Sequence, residues 1–171
     1  MLFIHLVMVL LTSLTEAAGS PPAEKCAMPP TRAEKDGISK DDEVEVYAVA
    51  FEHVLKTEDR ARLFFLGTGK DGDPPDRVLK LLSHLKLRLR KGSRAERTTD
   101  GAGHIIYVDR DSKEPGTTVR LLGIQRAGEE NMVEVKAVYH INKSSGYTEV
   151  LRLKKKGGQW SVSGSRAHGE F

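Results

Sequence analysis

Met132-Val133-Glu134-Val135-Lys136-Ala137-Val138-Tyr139-His140-Ile141 is the stretch on which the fold is read. Val133, Val135, Ala137, Tyr139 and Ile141 recur at every second position, while Glu134, Lys136 and His140 take alternate ones. A period of two sends successive side chains to opposite faces, so the segment predicts a strand with one apolar and one solvated face. Downstream, Lys143-Ser144-Ser145-Gly146 predicts a hairpin turn into a strand over Tyr147 to Lys155, and Gly157-Gly158 a tight turn into Trp160-Ser161-Val162. Upstream, Thr117 to Arg126 carries Val119, Leu121, Leu122 and Ile124, with Gly123 where the alternation slips and a bulge or bend is expected. His104 to Asp109 is a weaker strand candidate. The C-terminal part therefore predicts an antiparallel meander.

Before it the periodicity is helical. Asp42 reads as a cap followed three positions later by Glu45, and Val44, Tyr47, Ala48, Phe51, Val54 and Leu55 form one apolar stripe lasting to about Lys56. Leu63-Phe64-Phe65-Leu66, bounded by Gly67 and Gly69, suits a short buried strand. Asp73-Pro74-Pro75-Asp76 offers a cap and a first-turn proline for a second helix carrying Val78, Leu81, Leu82 and Leu85. From Leu85 the period drops to two, with Leu85, Leu87 and Leu89 set against Lys86, Arg88 and Arg90. Helices first and strands afterwards predict an α+β domain in which N-terminal helices pack on a curved, mainly antiparallel sheet.

The chain has 171 residues, 39% hydrophobic and 30% charged, with a net charge of +3, which is room for one ordinary domain and too apolar for wholesale disorder. A single cysteine excludes a disulfide framework and a Cys-based structural zinc site. Leu2 to Leu14 is an apolar run of secretory-signal length, too short to span a bilayer, and Ala17-Ala18-Gly19 supplies small residues for cleavage after Gly19. The run has no Lys or Arg before it, so an uncleaved N-terminal membrane anchor is the alternative. Ser20 to Lys40, with two Pro-Pro pairs and no apolar periodicity, reads as a disordered tether. It holds Cys26, which Ala23-Glu24-Lys25 does not set up for lipid attachment. The layout expected is a signal over 1–19, a tether over 20–40, one α+β domain over 41–166 and a flexible tail over 167–171.

Taken together, Val46-Tyr47 to Leu55, Asp73-Pro74, Val133 to Ile141 and the Lys155-Lys156-Gly157-Gly158-Gln159-Trp160-Ser161-Val162 stretch make the region from Asp42 to Ser165 resemble the nuclear transport factor 2-like superfamily. The likeness is greatest to small exported bacterial members without an assigned activity. It implies a cone-like, cystatin-like half-barrel in which sheet and helices enclose a pocket. In enzymatic members that pocket holds an Asp or His base near tyrosines. The superfamily includes isomerases, dehydratases and binding modules, so fold leaves chemistry open.

The residues specify no reaction. His5, His53, His84, His104, His140 and His168 include no i, i+4 zinc pair and no HExxH motif, and neither a metal site nor a cofactor is expected. Gly67-Thr68-Gly69-Lys70 lacks the length of a P-loop, and Gly164-Ser165 lacks the setting of a nucleophile elbow. Asn142-Lys143-Ser144 matches a glycosylation sequon, but its residues also suit a hairpin turn. Pocket candidates are His53, whose ordinary pKa lies near neutrality, and Tyr139, the phenol on the apolar strand face. Lys86, Arg88, Arg90, Lys91, Arg94 and Arg97 form a basic stretch, and Arg152 with Lys154 to Lys156 a second cluster. If their strands are neighbours, one basic surface results, attractive to anionic polymer or lipid, while the lack of aromatics between Arg77 and Arg97 argues against specific nucleic-acid binding. The function expected is an exported, periplasmic or secreted, non-catalytic binding or accessory module. Its partner is a small molecule or an envelope protein, and a homodimer is compatible. A small pocket hydrolase or isomerase and an envelope protein using its basic face are the alternatives.

Overall fold

The computed structural model describes residues 38–57, 63–142 and 145–170. The expected signal, most of the tether and Cys26 lie outside them. The described chain is an α+β fold with an open, curved sheet of eight strands, mostly antiparallel, and few helices. No helix among the described residues is long and apolar enough to cross a membrane.

Helix α1 spans Lys40–Thr57. Its cap is Ser39, three residues earlier than expected. Ser39 Oγ accepts from the Asp42 amide at 3.1 Å and donates to the Asp42 carboxylate at 3.0 Å, so Ser39 is the cap and Asp42 the third helical residue bonded to it. Of the predicted stripe, Tyr47, Ala48, Phe51, Val54 and Leu55 are buried and Val44 is half-buried, while Val46 and Ala50, outside that spacing, are fully buried as well. Strand β1 (Leu63–Thr68) follows, then α2 (Asp76–Leu81) and a 3-10 turn over Leu82–Leu85. Asp73 does not cap α2. Its carboxylate instead takes the Ser93 amide at 2.8 Å and the Ser93 hydroxyl at 2.7 Å, tying the loop before α2 to the segment after β2.

The strand expected from Leu85 begins only at Arg88, because Lys86 ends the 3-10 turn in the left-handed conformation (φ 56°). This is β2 (Arg88–Lys91), and Leu85, Leu87 and Leu89 still pack against the core. Strand β3 (Ala95–Thr99) was not anticipated, since Ala-Glu-Arg-Thr-Thr has no apolar alternation; it is held by antiparallel pairing with β4 (Ile105–Asp109). The meander is β5 (Pro115–Arg126), β6 (Met132–Asn142), β7 (Ser145–Lys156) and β8 (Gln159–Glu170). Strand β8 runs well past Val162 and into the expected tail, with Ala167 opposite Glu149 and Glu170 opposite Tyr147.

Sheet order is β2-β1-β5-β6-β7-β8, with β3 and β4 attached alongside β5. The departure from a simple meander is β1, which runs parallel to both β2 and β5. All four residues of its Leu-Phe-Phe-Leu run are at most 1% exposed. Phe64 and Leu66 join the core under α1. Leu63 and Phe65, on the opposite face, are approached by the chain entering β5. Burial on both faces is why this strand reads as continuously apolar and not alternating. The expected bulge is present: register shifts between Leu121 and Ile124, with Gly123 at φ 142°. The extra residue lets Leu121 and Ile124 both face the core while Leu122 is left 42% exposed.

Gly116 permits the close approach over β1. A methyl group there would lie 2.7 Å from the Leu63 carbonyl oxygen and 2.8 Å from the Phe65 ring. Gly116→Val is expected to cost about 1–3 kcal/mol through overpacking, measured by urea unfolding, whereas Gly101→Ala, where the added carbon meets nothing within 4 Å, leaves the midpoint nearly unchanged.

Candidate functional site

The helix-facing side of the sheet is where a cone-like fold would hold a pocket. Here its middle is filled. Phe51 from α1, Leu121 from β5, Val135 and Tyr139 from β6 and Leu151 from β7 are all 1% exposed or less and belong to one core cluster. Tyr139 is thus a core phenol, stacked on Tyr147 across the β6–β7 pair with ring centroids 5.1 Å apart.

His53 is half-buried on the inner side of α1, with Nε2 3.9 Å from Oε1 of Glu149 on β7. Glu149 was missed in the sequence, although the signal was available: Tyr147, Glu149, Leu151 and Leu153 share one strand face, and a carboxylate among three apolar residues stands out. The structure therefore brings one imidazole and one carboxylate together near the tyrosine stack. Neither His53 nor Tyr139 lines the clefts described below. His140 is on the opposite face, tilted against Tyr107 with centroids 6.5 Å apart. Burial, aided by the nearby Arg120 charge, lowers its pKa. No group of three or more His, Cys, Asp or Glu side chains among the described residues is arranged to hold a metal ion.

The two basic clusters do not merge, because β1, β5 and β6 lie between β2 and β7. Within the first, Arg88 pairs with Glu114, Lys91 with Asp76 at 2.7 Å, and Arg94 with Asp109 at 2.9 Å and Asp111 at 2.7 Å. Among the described residues Arg90 reaches the Leu89 carbonyl at 3.4 Å, Lys86 sits in the turn before β2, and Arg97 is exposed on β3. Asp109 is 3% exposed and also accepts the Asp111 and Ser112 amides at 3.0 Å, and these bonds, led by Ser112, hold its carboxyl far below the usual range. Arg94 thereby fixes the β4–β5 turn. In the second cluster Arg152 binds Glu134 at 2.8 Å, Lys154 approaches Glu129 at 3.7 Å, and Lys155 is drawn to α1.

That last contact organises the surface. Asp42 Oδ1 accepts the Lys155 ammonium at 2.5 Å and the indole N–H of Trp160 at 2.9 Å, while Lys155 Nζ stands 5.8 Å from the Trp160 ring centroid. The chain's one tryptophan is thereby fixed against the first turns of α1. Trp160 then forms a wall of two open clefts. One, of about 260 Å³, is polar and lies between Asp42, Lys155 and the β5–β6 turn with Arg126, Glu129 and Asn131. The other, of about 340 Å³, runs along α1 past Glu45, Ala48, Val49 and Glu52, bounded by Leu81 and by Gly158-Gln159-Trp160. A third concavity of about 300 Å³ lies on β6, β7 and β8, around Glu134, Arg152 and Arg166.

No protein-family model, curated protein or solved structure matches the chain. Any functional reading rests on this geometry and on the residue pattern.

The lysine bond first, then the indole bond, hold the Asp42 carboxyl below its ordinary value of 3.8. A carboxyl with a depressed folded-state pKa adds stability that is present above the unfolded value and lost as pH falls through the folded one. Trp160 emission should therefore change in acid, in a step below about pH 4 that Asp42→Ala lacks. At neutral pH, Asp42→Ala is expected to shift Trp160 emission to the red and to lower stability by about 1–3 kcal/mol.

Proposed function

We propose that this protein is an exported, non-catalytic binding or accessory module on a nuclear transport factor 2-like half-barrel, with its ligand-binding surface around Trp160. The observation that carries the reading is the contrast between a helix-facing interior closed by Phe51, Leu121, Tyr139 and Leu151 and two open clefts that share the Trp160 wall. A half-exposed aromatic with a fixed orientation provides contact area at little entropic cost. The half-barrel assignment is supported by the long first helix packed on a curved, mainly antiparallel sheet and by the placement of Trp160 against that helix. Export rests on the Leu2 to Leu14 run and the small residues that follow.

A second reading has one observation in its favour. His53 and Glu149 form an imidazole–carboxylate pair beside the Tyr139–Tyr147 stack, an arrangement suited to general-base chemistry in a small pocket enzyme. The basic-face reading has less support, since Arg88, Lys91 and Arg94 are matched by Glu114, Asp76 and Asp109.

Complementation of a gene deletion separates the first two readings. The His53→Gln, Glu149→Gln double variant should restore the wild-type phenotype, and a Glu45→Lys, Leu81→Ser variant that still folds should not. The reverse result would transfer the function to the dyad. For export, mass spectrometry of the fractionated native protein should find a chain starting near Ser20 outside the cytoplasm, and an intact cytoplasmic Met1 form would overturn that part.

A further inference from the structure

Resting on the reading of the Trp160 surface as the binding region, we infer that the groove between α1, Leu81 and the β7–β8 turn docks an extended peptide segment in which an apolar side chain is flanked by two basic ones. The α1 wall supplies Glu45, Ala48, Val49 and Glu52, which stand at i, i+3, i+4 and i+7 and so form one stripe. At the helical rise, seven residues place the two carboxylate positions about 10 Å apart. Between them lie only small apolar side chains. The opposite wall carries Leu81, which at 44% exposed is one of two large hydrophobic residues left open to solvent among the described residues, and the Trp160 indole.

Among the described residues, no lysine or arginine lines this groove. Glu45 has no ion-pair partner among the described residues, and Glu52 holds Lys56 at 2.6 Å and His84 at 3.3 Å, both on side chains more than half exposed and able to yield to an incoming cation. Charge therefore selects a basic occupant at both ends, and the apolar middle selects a hydrophobic one. In an extended chain alternate side chains share a face, so basic residues four positions apart, about 13 Å, flank an apolar one midway on the same side, and their long side chains converge on acids about 10 Å apart. The groove is open along its length and covers only one face of its occupant, which suits a peptide better than a small polyamine needing enclosure. Gly158, at φ 84° with nothing within 4 Å of an added Cβ, keeps the far wall low.

The test uses the full chain and a fluorescein-labelled, end-capped Gly-Arg-Ala-Leu-Ala-Arg-Gly peptide, in which both Arg and the Leu share one face when extended, read by fluorescence polarisation. Saturable binding is expected, weakened roughly tenfold by Glu45→Lys, measurably weakened by Leu81→Ser, and unchanged by Arg166→Ser on the opposite face of the sheet. Circular dichroism of each variant guards against misfolding. Absence of saturable binding, equal binding to Glu45→Lys, or equal binding of the peptide with Glu in place of both Arg would overturn the inference. If spermidine shifts Trp160 emission and the peptide does not, the peptide is rejected while the Trp160 surface stands. If that surface itself is misassigned, it is the complementation result that fails.

Discussion

Burial of β1 on both faces is the constraint from which the arrangement of this protein follows. Leu63, Phe64, Phe65 and Leu66 cannot be covered by α1 alone, since alternate side chains leave the sheet in opposite directions. Two consequences result. The strand takes an interior position, parallel between β2 and β5, where both of its backbone edges are hydrogen-bonded. The chain at the β4–β5 junction must also pass close over its second face, which Gly116 allows and the Asp109–Arg94 turn holds in place. With β1, β5 and β6 between β2 and β7, the two basic clusters stay apart, and the cationic character of the sequence is dispersed and mostly matched by carboxylates.

On the other face the same close packing decides where a ligand can bind. The interior under α1 is filled by aromatic and branched side chains, and removing any of them would leave an uncompensated cavity. Besides the concavity on β6, β7 and β8, two clefts lie at the rim, where α1 meets the end of the meander. There Asp42 joins the two, its helical position set by Ser39 and its carboxylate shared by Lys155 and Trp160. A single carboxylate oxygen thus fixes the cation, the indole and the walls of both clefts.

Much of this was legible in the sequence. Alternation and turn residues gave β5, β6, nearly all of β7 and the start of β8, Gly123 marked the bulge in β5, and the stripe from Val44 to Leu55 marked most of the buried face of α1. What failed did so for physical reasons. Asp42 and Asp73 have the side chain of a cap, able to accept first-turn amides, yet each carboxylate has a tertiary or sequential partner that local spacing does not reveal. Strand β3 has no apolar pattern because pairing with β4 holds it, and the reach of β8 to Glu170 likewise follows from pairing with β7. Glu149 carried a readable signal, but its meeting with His53 depended on how α1 lies across β7.

The α+β class, the composition of each apolar face, the chain's one tryptophan in its Gly-Gly-Gln-Trp turn and the charge inventory are all written in the order of the residues. Periodicity and turn chemistry are local properties, set by residues within a few positions of one another. The tertiary structure alone decided that β1 is parallel and interior, that the basic clusters are apart, that Tyr139 is core and that Trp160 borders the clefts. Each of these turns on a contact between distant residues, such as Asp42 with Trp160 across 118 positions, and which distant faces meet is settled by the simultaneous burial of all of them.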